Sequence, residues 1–407
     1  DWRFSALLLA VACINYFAAL RIEGSRSDAA RKRWLAFALV GCLGLLAYFK
    51  YANFFIESVA TLLSRMGWHP ELPLLNVLLP VGISFFSFQG ISYTIDVYRR
   101  QQDATRDFRD FALYIAFFPT VLSGPIMRGR QMLPQFTSPL PYTEERGLEG
   151  LYLIFRGLTK KLVFADTLAL QIVNPAFSQS QDYSTSFLVI AVYAYSLQIY
   201  MDLSGYTDMA RGVAKTLGFE LPENFNRPYQ ATSVSNFWQR WHISMSGFFR
   251  DYLFFAVGGS KYGNTYVNLL ITFAAIGIWH GGAWNLIVYG LLHGLVVGLE
   301  RLLRNRYKSW GLIYFVDNTI FPYFAAFLSL NFVAFSRVLF RSDDLDSALD
   351  FLAAMLTDQG ETHLVPVLGL AALVISIALH YTPRDWDLKI LALFRRSPAI
   401  IQSGAIS

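Results

Sequence analysis

Long apolar runs recur along the chain, each near the length that crosses about 30 Å of hydrocarbon, and polar, basic stretches separate them. They predict spans near 4–20, 34–50, 74–95, 186–201, 266–299, 313–335 and 364–381. Two stretches interrupt the pattern. FALYIAFFPTVLSGPIM, from Phe111, is broken by Pro119, Gly124 and Pro125, and the run from Leu148 to Val173 is amphipathic. Non-helical backbone survives at membrane depth only where protein buries it or a cavity solvates it, so broken runs predict re-entrant segments around a cavity. The 266–299 run exceeds one span and falls short of two. Gly281 and Gly282 lie near its middle, directly after Trp279 and His280, which predicts two short arms turning at a glycine break.

The polar stretches set the expected orientation. RIEGSRSDAARKRW, from Arg21, and YRRQQDATRDFRD, from Tyr98, are strongly basic, whereas SRMGWHPELP between them carries one arginine. Arg and Lys collect on the cytoplasmic side, so these three alternate cytoplasmic, outside, cytoplasmic, and 202–265 and 300–310 join the cytoplasmic set. Composition agrees: 54% of the 407 residues are hydrophobic and 15% charged, with mean hydropathy +0.37, against about 25% charged in soluble domains. The expected class is an all-α polytopic membrane protein. A net charge of +5 then reflects cytoplasmic loops and phospholipid headgroups, and no nucleic-acid partner is expected. Cys13 and Cys42 sit in apolar segments, with neither disulfide nor metal-ligand spacing. No repeat or linker divides the chain, so 1–407 reads as one domain. Its start inside an apolar run suggests that the true N-terminal residues precede Asp1.

Two segments could carry chemistry. On a continuous helix over 237–255, Phe237, Trp241, Met245, Phe248, Tyr252 and Phe255 share one stripe; Gln239, Ser246 and Arg250 lie opposite, and Arg240, Ser244 and Asp251 form a flank. His242 falls at the edge of the stripe, which divides it evenly between a working base and a headgroup-level histidine. His280, beside the glycine break, would lie deep in the membrane, where a titratable side chain usually faces a cavity, a proton path or a substrate; the alternative is a histidine hydrogen-bonded for packing. His293 reads as structural, and His69, His363 and His380 as interfacial. Asp202 and Asp208 bracket a Gly turn, where they cap a helix or line a cytoplasmic opening. HExxH, paired CxxC, Walker, GxGxxG and GxSxG patterns are missing, so no metal and no permanently bound cofactor are expected. A transporter with a His280–His293 proton relay is the rival from another class, although transporters often carry internal repeats and none is visible here.

A series of blocks runs through most of the chain: YFKYANFF at Tyr48, LLPVGISFFSFQGISYTIDVYR at Leu78, FFPTVLSGPIMR at Phe117, KKLVFADTLA at Lys160, IYMDLSGYTDMARG at Ile199, ENFNRPY at Glu223, FWQRWHISMSGFFRDYLF at Phe237 and GIWHGGAWNLIVYGLLHG at Gly277. Their order and co-occurrence resemble the membrane-bound O-acyltransferase superfamily, in its bacterial polysaccharide O-acetyltransferase branch of the alginate type. The resemblance implies a ring of tilted and re-entrant helices around a thin centre with a cytoplasmic funnel. It makes His280 the intramembrane catalytic histidine and His242 the second active-site position. Around them it implies a donor tunnel that draws on Trp241, Arg240, Ser244, Arg250, Asp251, Asn224, Arg227, Trp279 and Asn285. The implied donor is acetyl-CoA, with its phosphates near Arg227, Arg240 or Arg250. The implied receiver is a serine of a periplasmic SGNH-type acetyltransferase, or the polysaccharide directly, and the implied location is the bacterial inner membrane, in contact with membrane lipid. Met245 replaces the usual Leu of WHISLS, and the Gly-Gly-Ala-Trp after His280 differs from some alginate members, which leaves the polymer open.

Overall fold

A computed structural model describes residues 2–70, 72–311, 320–358 and 360–396. Among them, five helices are long and apolar enough to cross a membrane: Arg3–Gly24, Asp28–Arg65, Thr185–Thr216, Trp284–Ser309 and Phe321–Arg341. A sixth apolar helix, Val367–Tyr381, bends by 103° into a polar C-terminal helix. The protein is an all-α, multi-pass membrane protein. Val40, Leu43, Leu295 and Leu299 stand exposed on the outer faces of these helices, where hydrocarbon rather than water is the fitting solvent.

Several expected boundaries move, each for a local reason. The 74–95 run is not one span: residues 72–80 are non-helical and the helix begins at Ile83. Pro73 and Pro80 supply no backbone N–H, and Gly82 takes a left-handed conformation, φ 81°, which reverses the chain into the helix. The 186–201 run continues to Thr216, because Gly205 is no turn. Its missing Cβ admits the Gly157 carbonyl of the helix packed alongside, so Asp202 and Asp208 lie inside a helix rather than at its end. The 237–255 stretch is not one helix either, since it breaks at Trp241–His242. The 313–335 run appears as Phe321–Arg341, and 313–319 lie outside the described residues.

The expected glycine break is present. Thr265–His280 and Trp284–Ser309 form two arms joined by a non-helical turn at Gly281–Ala283. The arms pack backbone to backbone: a Cβ at Gly277 would run into the Leu286 carbonyl, and one at Gly290 into the Phe273 carbonyl. Small residues at such contacts let helices in lipid gain dispersion energy without a hydrophobic driving force.

The basic segments gather on one face. Arg31 donates to the Tyr98 carbonyl at 2.5 Å, the Ala104 N–H to Glu23 at 2.8 Å, and Arg99 to the Asp251 carbonyl at 2.9 Å. The Thr265–His280 arm has 16 residues, so at about 1.5 Å per residue His280 lies about 22 Å along it from Thr265.

Gly277→Ala should destabilise the protein by about 1–3 kcal/mol, because the arms cannot separate without losing their contact. The loss should register as a lower melting temperature in detergent. Unchanged melting would show that the backbone contact is not tight.

Candidate functional site

The helix Val234–Arg240 ends where Trp241 turns extended, φ −100° and ψ 125°, and His242 takes left-handed backbone angles, φ 43° and ψ 57°, before Ile243–Phe248 resumes. A non-glycine residue there is strained and must be held by its surroundings. Asn224 holds it with three bonds. Its carbonyl accepts from the Ile243 N–H at 2.9 Å, its Oδ1 accepts from the Ser244 N–H at 2.9 Å, and its Nδ2 donates to His242 Nδ1 at 3.3 Å. Because Oδ1 is committed to a backbone donor, the amide orientation is fixed. Nδ1 then accepts, so the ring is neutral and carries its proton on Nε2. The imidazole is 4% exposed and lies among Phe85, Phe225 and Trp279, at centroid distances of 6.5, 5.8 and 5.9 Å. This corrects the headgroup-level reading: the break turns His242 inward.

His280 closes the Thr265–His280 arm. Its ring meets Trp279 at 4.6 Å and Phe340 at 4.8 Å, both edge-on. No hydrogen bond from its ring nitrogens to another described residue is found, and the ring lines a cavity of about 330 Å³ with Lys50, Ser84, Phe85 and Trp279. His293 is its opposite in kind. It is fully buried; Trp238 Nε1–H donates to Nδ1 at 3.2 Å, which leaves Nε2–H to donate to Ser336 Oγ at 3.0 Å. Both His293 nitrogens are occupied, so a His280–His293 proton relay has no free terminus there.

A larger cavity, about 470 Å³, is lined by Asn224, the residue bonded to His242. Its wall holds a buried charge cluster. Asp208 accepts from Arg156 Nε at 2.9 Å and Nη2 at 2.6 Å, and from Lys160 at 2.7 Å. Arg211, Arg227 and His380 line the same space. His380 is therefore no interfacial residue: it is 3% exposed, its Nε2 accepts from the Tyr229 N–H at 3.2 Å, and its Nδ1 has no partner among the described residues. Trp279 separates the two histidines, within 6 Å of each ring. One cavity therefore ends at Asn224, which bonds His242, the other holds His280, and the Trp279 indole packs against both imidazoles.

The structure thus places His280 and Trp279 on one cavity and Asn224 and Arg227 on the other, with His242 buried between Asn224 and Trp279. The other sequence candidates are placed elsewhere. Trp241 is buried, stacked on Phe237 at 5.5 Å with the Arg337 guanidinium 4.4 Å from its centroid, and it supports the break from behind. Ser244 accepts from the Ile126 N–H at 2.9 Å, and Arg240 donates to Asn236 at 2.9 Å. Arg250 and Arg128 both pair with Asp251, at 2.8 and 2.9 Å, and Arg128 and Asp251 line a third cavity of about 310 Å³. Burial alone would raise the Asp251 carboxyl; the two arginines hold it below its ordinary range. Asn285 donates to the Leu339 and Ser342 carbonyls, closing the end of Phe321–Arg341. Sequence reasoning missed Lys50, Phe85, Arg156, Lys160 and His380. The available signals were a lysine inside an apolar run and two basic residues four apart on the amphipathic 148–173 stretch.

Comparison with known proteins agrees with this architecture. Residues 96–336 match the membrane-bound O-acyltransferase family. The chain is 40% identical over 360 residues to a probable alginate O-acetylase of Azotobacter vinelandii, covering 87% of this chain and 69% of the relative. It is 32% identical over 381 residues to a peptidoglycan O-acetyltransferase of Helicobacter pylori, with 87% and 70% covered. A teichoic acid D-alanyltransferase of Bacillus subtilis is 27% identical over 325 residues, with 73% and 80% covered.

Asp208→Asn leaves Arg156 and Lys160 without their shared carboxylate and should cost about 3–5 kcal/mol of stability, the usual penalty for breaking a buried ion pair from one side. Thermal unfolding of the purified variant checks this; a shift equivalent to under about 1 kcal/mol would mean that water already solvates the cluster.

Proposed function

Because the chain belongs to the membrane-bound O-acyltransferase family and is an O-acyltransferase, we propose that it passes an acetyl group from a cytoplasmic thioester through the membrane, for O-acetylation of a cell-envelope or secreted polysaccharide. The observation that carries the reading is the contrast between the histidines. His280 lines a cavity with no described partner on its ring nitrogens, His242 is held as a neutral Nε2–H tautomer, and His293 is sealed into the packing. Acyl transfer to a hydroxyl needs a base that works near neutral pH, and an imidazole with a free nitrogen supplies one.

In the proposed reaction, acetyl-CoA is the donor and the larger cavity, with Arg211 and Arg227 on its wall, receives it. The acceptor hydroxyl attacks the thioester carbon as His280 takes its proton. The new C–O bond forms, the C–S bond breaks, and the departing thiolate is protonated by the imidazolium. His242, on the donor side of Trp279, presents its Nε2–H to the acyl group and orients it. The receiver is a serine of a periplasmic SGNH-type acetyltransferase, which then acetylates the polymer, and the site of action is the bacterial inner membrane. Placement of the basic segments on one face supports donor binding from the cytoplasm.

His280→Ala should lower acetyl transfer about 10²–10⁴-fold while expression and melting stay near wild type, as expected for loss of a general base. Polymer acetylation in cells and labelled acetyl-thioester transfer in proteoliposomes are the two measurements. Full polymer acetylation by His280→Ala would sink the assignment, and a wild-type protein that takes no label from the thioester would sink the donor.

A further inference from the structure

A lysine inside a membrane-crossing helix needs a reason. Lys50 lies in Asp28–Arg65, on a five-residue π-helical segment, Ala47–Tyr51, that interrupts the helix. Such wide turns occur often at functional sites, because they displace one side chain from the regular face. Among the described residues no carboxylate pairs with Lys50, although an isolated ammonium is costly at membrane depth. Its Nζ donates to the Trp279 carbonyl and, at 3.5 Å, approaches Ser84 Oγ. An ammonium has three N–H donors, and these contacts use two. Nζ also lies 5.8 Å from the Trp279 ring centroid, while Lys50, Trp279 and His280 line the same cavity.

Trp279 adds no second donor to the cavity: it is 8% exposed, and its indole Nε1–H is buried with no acceptor among the described residues. The wall beside His280, whose ring nitrogens have no described partner, therefore carries one cation with an N–H to spare.

We propose that the spare Lys50 Nζ–H is the oxyanion donor for acyl transfer at His280. The inference rests on the thioester-to-hydroxyl reading above. When the acceptor oxygen bonds to the acyl carbon and its proton passes to His280, the carbonyl π pair moves onto the carbonyl oxygen. The Lys50 N–H donates to that oxyanion. As the pair returns to form the carbonyl, the C–S bond breaks and the thiolate takes the proton from His280. Donors already in place for a developing charge reduce the barrier, because they need no reorganisation when it forms. The Lys50 bond to the Trp279 carbonyl also satisfies an orphan acceptor in the last turn of Thr265–His280 and fixes the indole beside the base.

The test uses the wild-type chain, Lys50→Gln and Lys50→Arg in proteoliposomes, with labelled acetyl-CoA and a soluble hydroxyl acceptor. Lys50→Gln keeps a neutral donor for the Trp279 carbonyl and removes the charge. It should melt as wild type, with kcat down 10²–10³-fold, the usual effect of losing one oxyanion donor, and KM for either substrate within about threefold. Lys50→Arg should recover at least about tenfold of that loss. A Lys50→Gln kcat within about threefold of wild type overturns the inference. So does a loss confined to KM, which would make Lys50 a binding residue, or an equal loss in Lys50→Arg with lowered melting, which would make it only a helix cap. A wild type that transfers nothing sinks the donor reading, and this inference with it. A competent wild type matched by Lys50→Gln sinks the Lys50 assignment alone.

Discussion

Breaking a helix inside hydrocarbon exposes backbone groups that lipid cannot solvate, and the rest of this structure depends on meeting that demand at Gly281–Gly282. The protein supplies the missing partners itself. Lys50 reaches the Trp279 carbonyl from a neighbouring helix, and Gly281 donates to the Ile278 carbonyl at 3.1 Å. Backbone-to-backbone packing of the two arms through Gly277 and Gly290 keeps the break narrow. The cavity beside His280 lies between the end of this arm, Lys50 and residues 79–85.

The second break serves the first. At Trp241–His242 the chain is strained, and Asn224 fixes it with its backbone carbonyl and both ends of its amide. Of the aromatic side chains that would share one stripe on a straight helix, Phe237, Trp241, Phe248 and Tyr252 are buried, and Phe255 alone stands exposed. Trp241 lies under Arg337, and Phe248 stacks on Phe88 at 4.2 Å. Aromatic packing around a break is stiff, so both imidazoles are held against one indole with little freedom to rotate. The larger cavity is walled differently, by an Arg–Asp–Lys cluster that keeps charges within a largely apolar protein only because they neutralise one another.

The comparisons and the fold agree on what the chain is, and they are coarser on what it does. Relatives that act on alginate, peptidoglycan and teichoic acid share the family and differ in the named polymer. The groups described around His280 are suited to the acyl-transfer step common to such reactions.

Sequence by itself determined the solvent and the elements. Apolar length dictates lipid, basic loops dictate which segments share a face, and glycines after Trp279–His280 dictate a break, because these are local properties of the chain. It also marked His280, since a titratable residue beside two glycines in an apolar run is costly wherever that run ends up. Periodicity misled at His242, because a helical wheel assumes the continuity that Asn224, eighteen residues away, takes from it. The same limit hid the role of Lys50, a lysine in an apolar run whose hydrogen-bond partners both come from other segments. Only tertiary packing brought Lys50, Ser84 and Trp279 around one cavity, through contacts separated by up to 229 positions. Which histidine has free nitrogens was likewise decided there, because hydrogen-bond partners come from distant segments and leave no trace in local pattern.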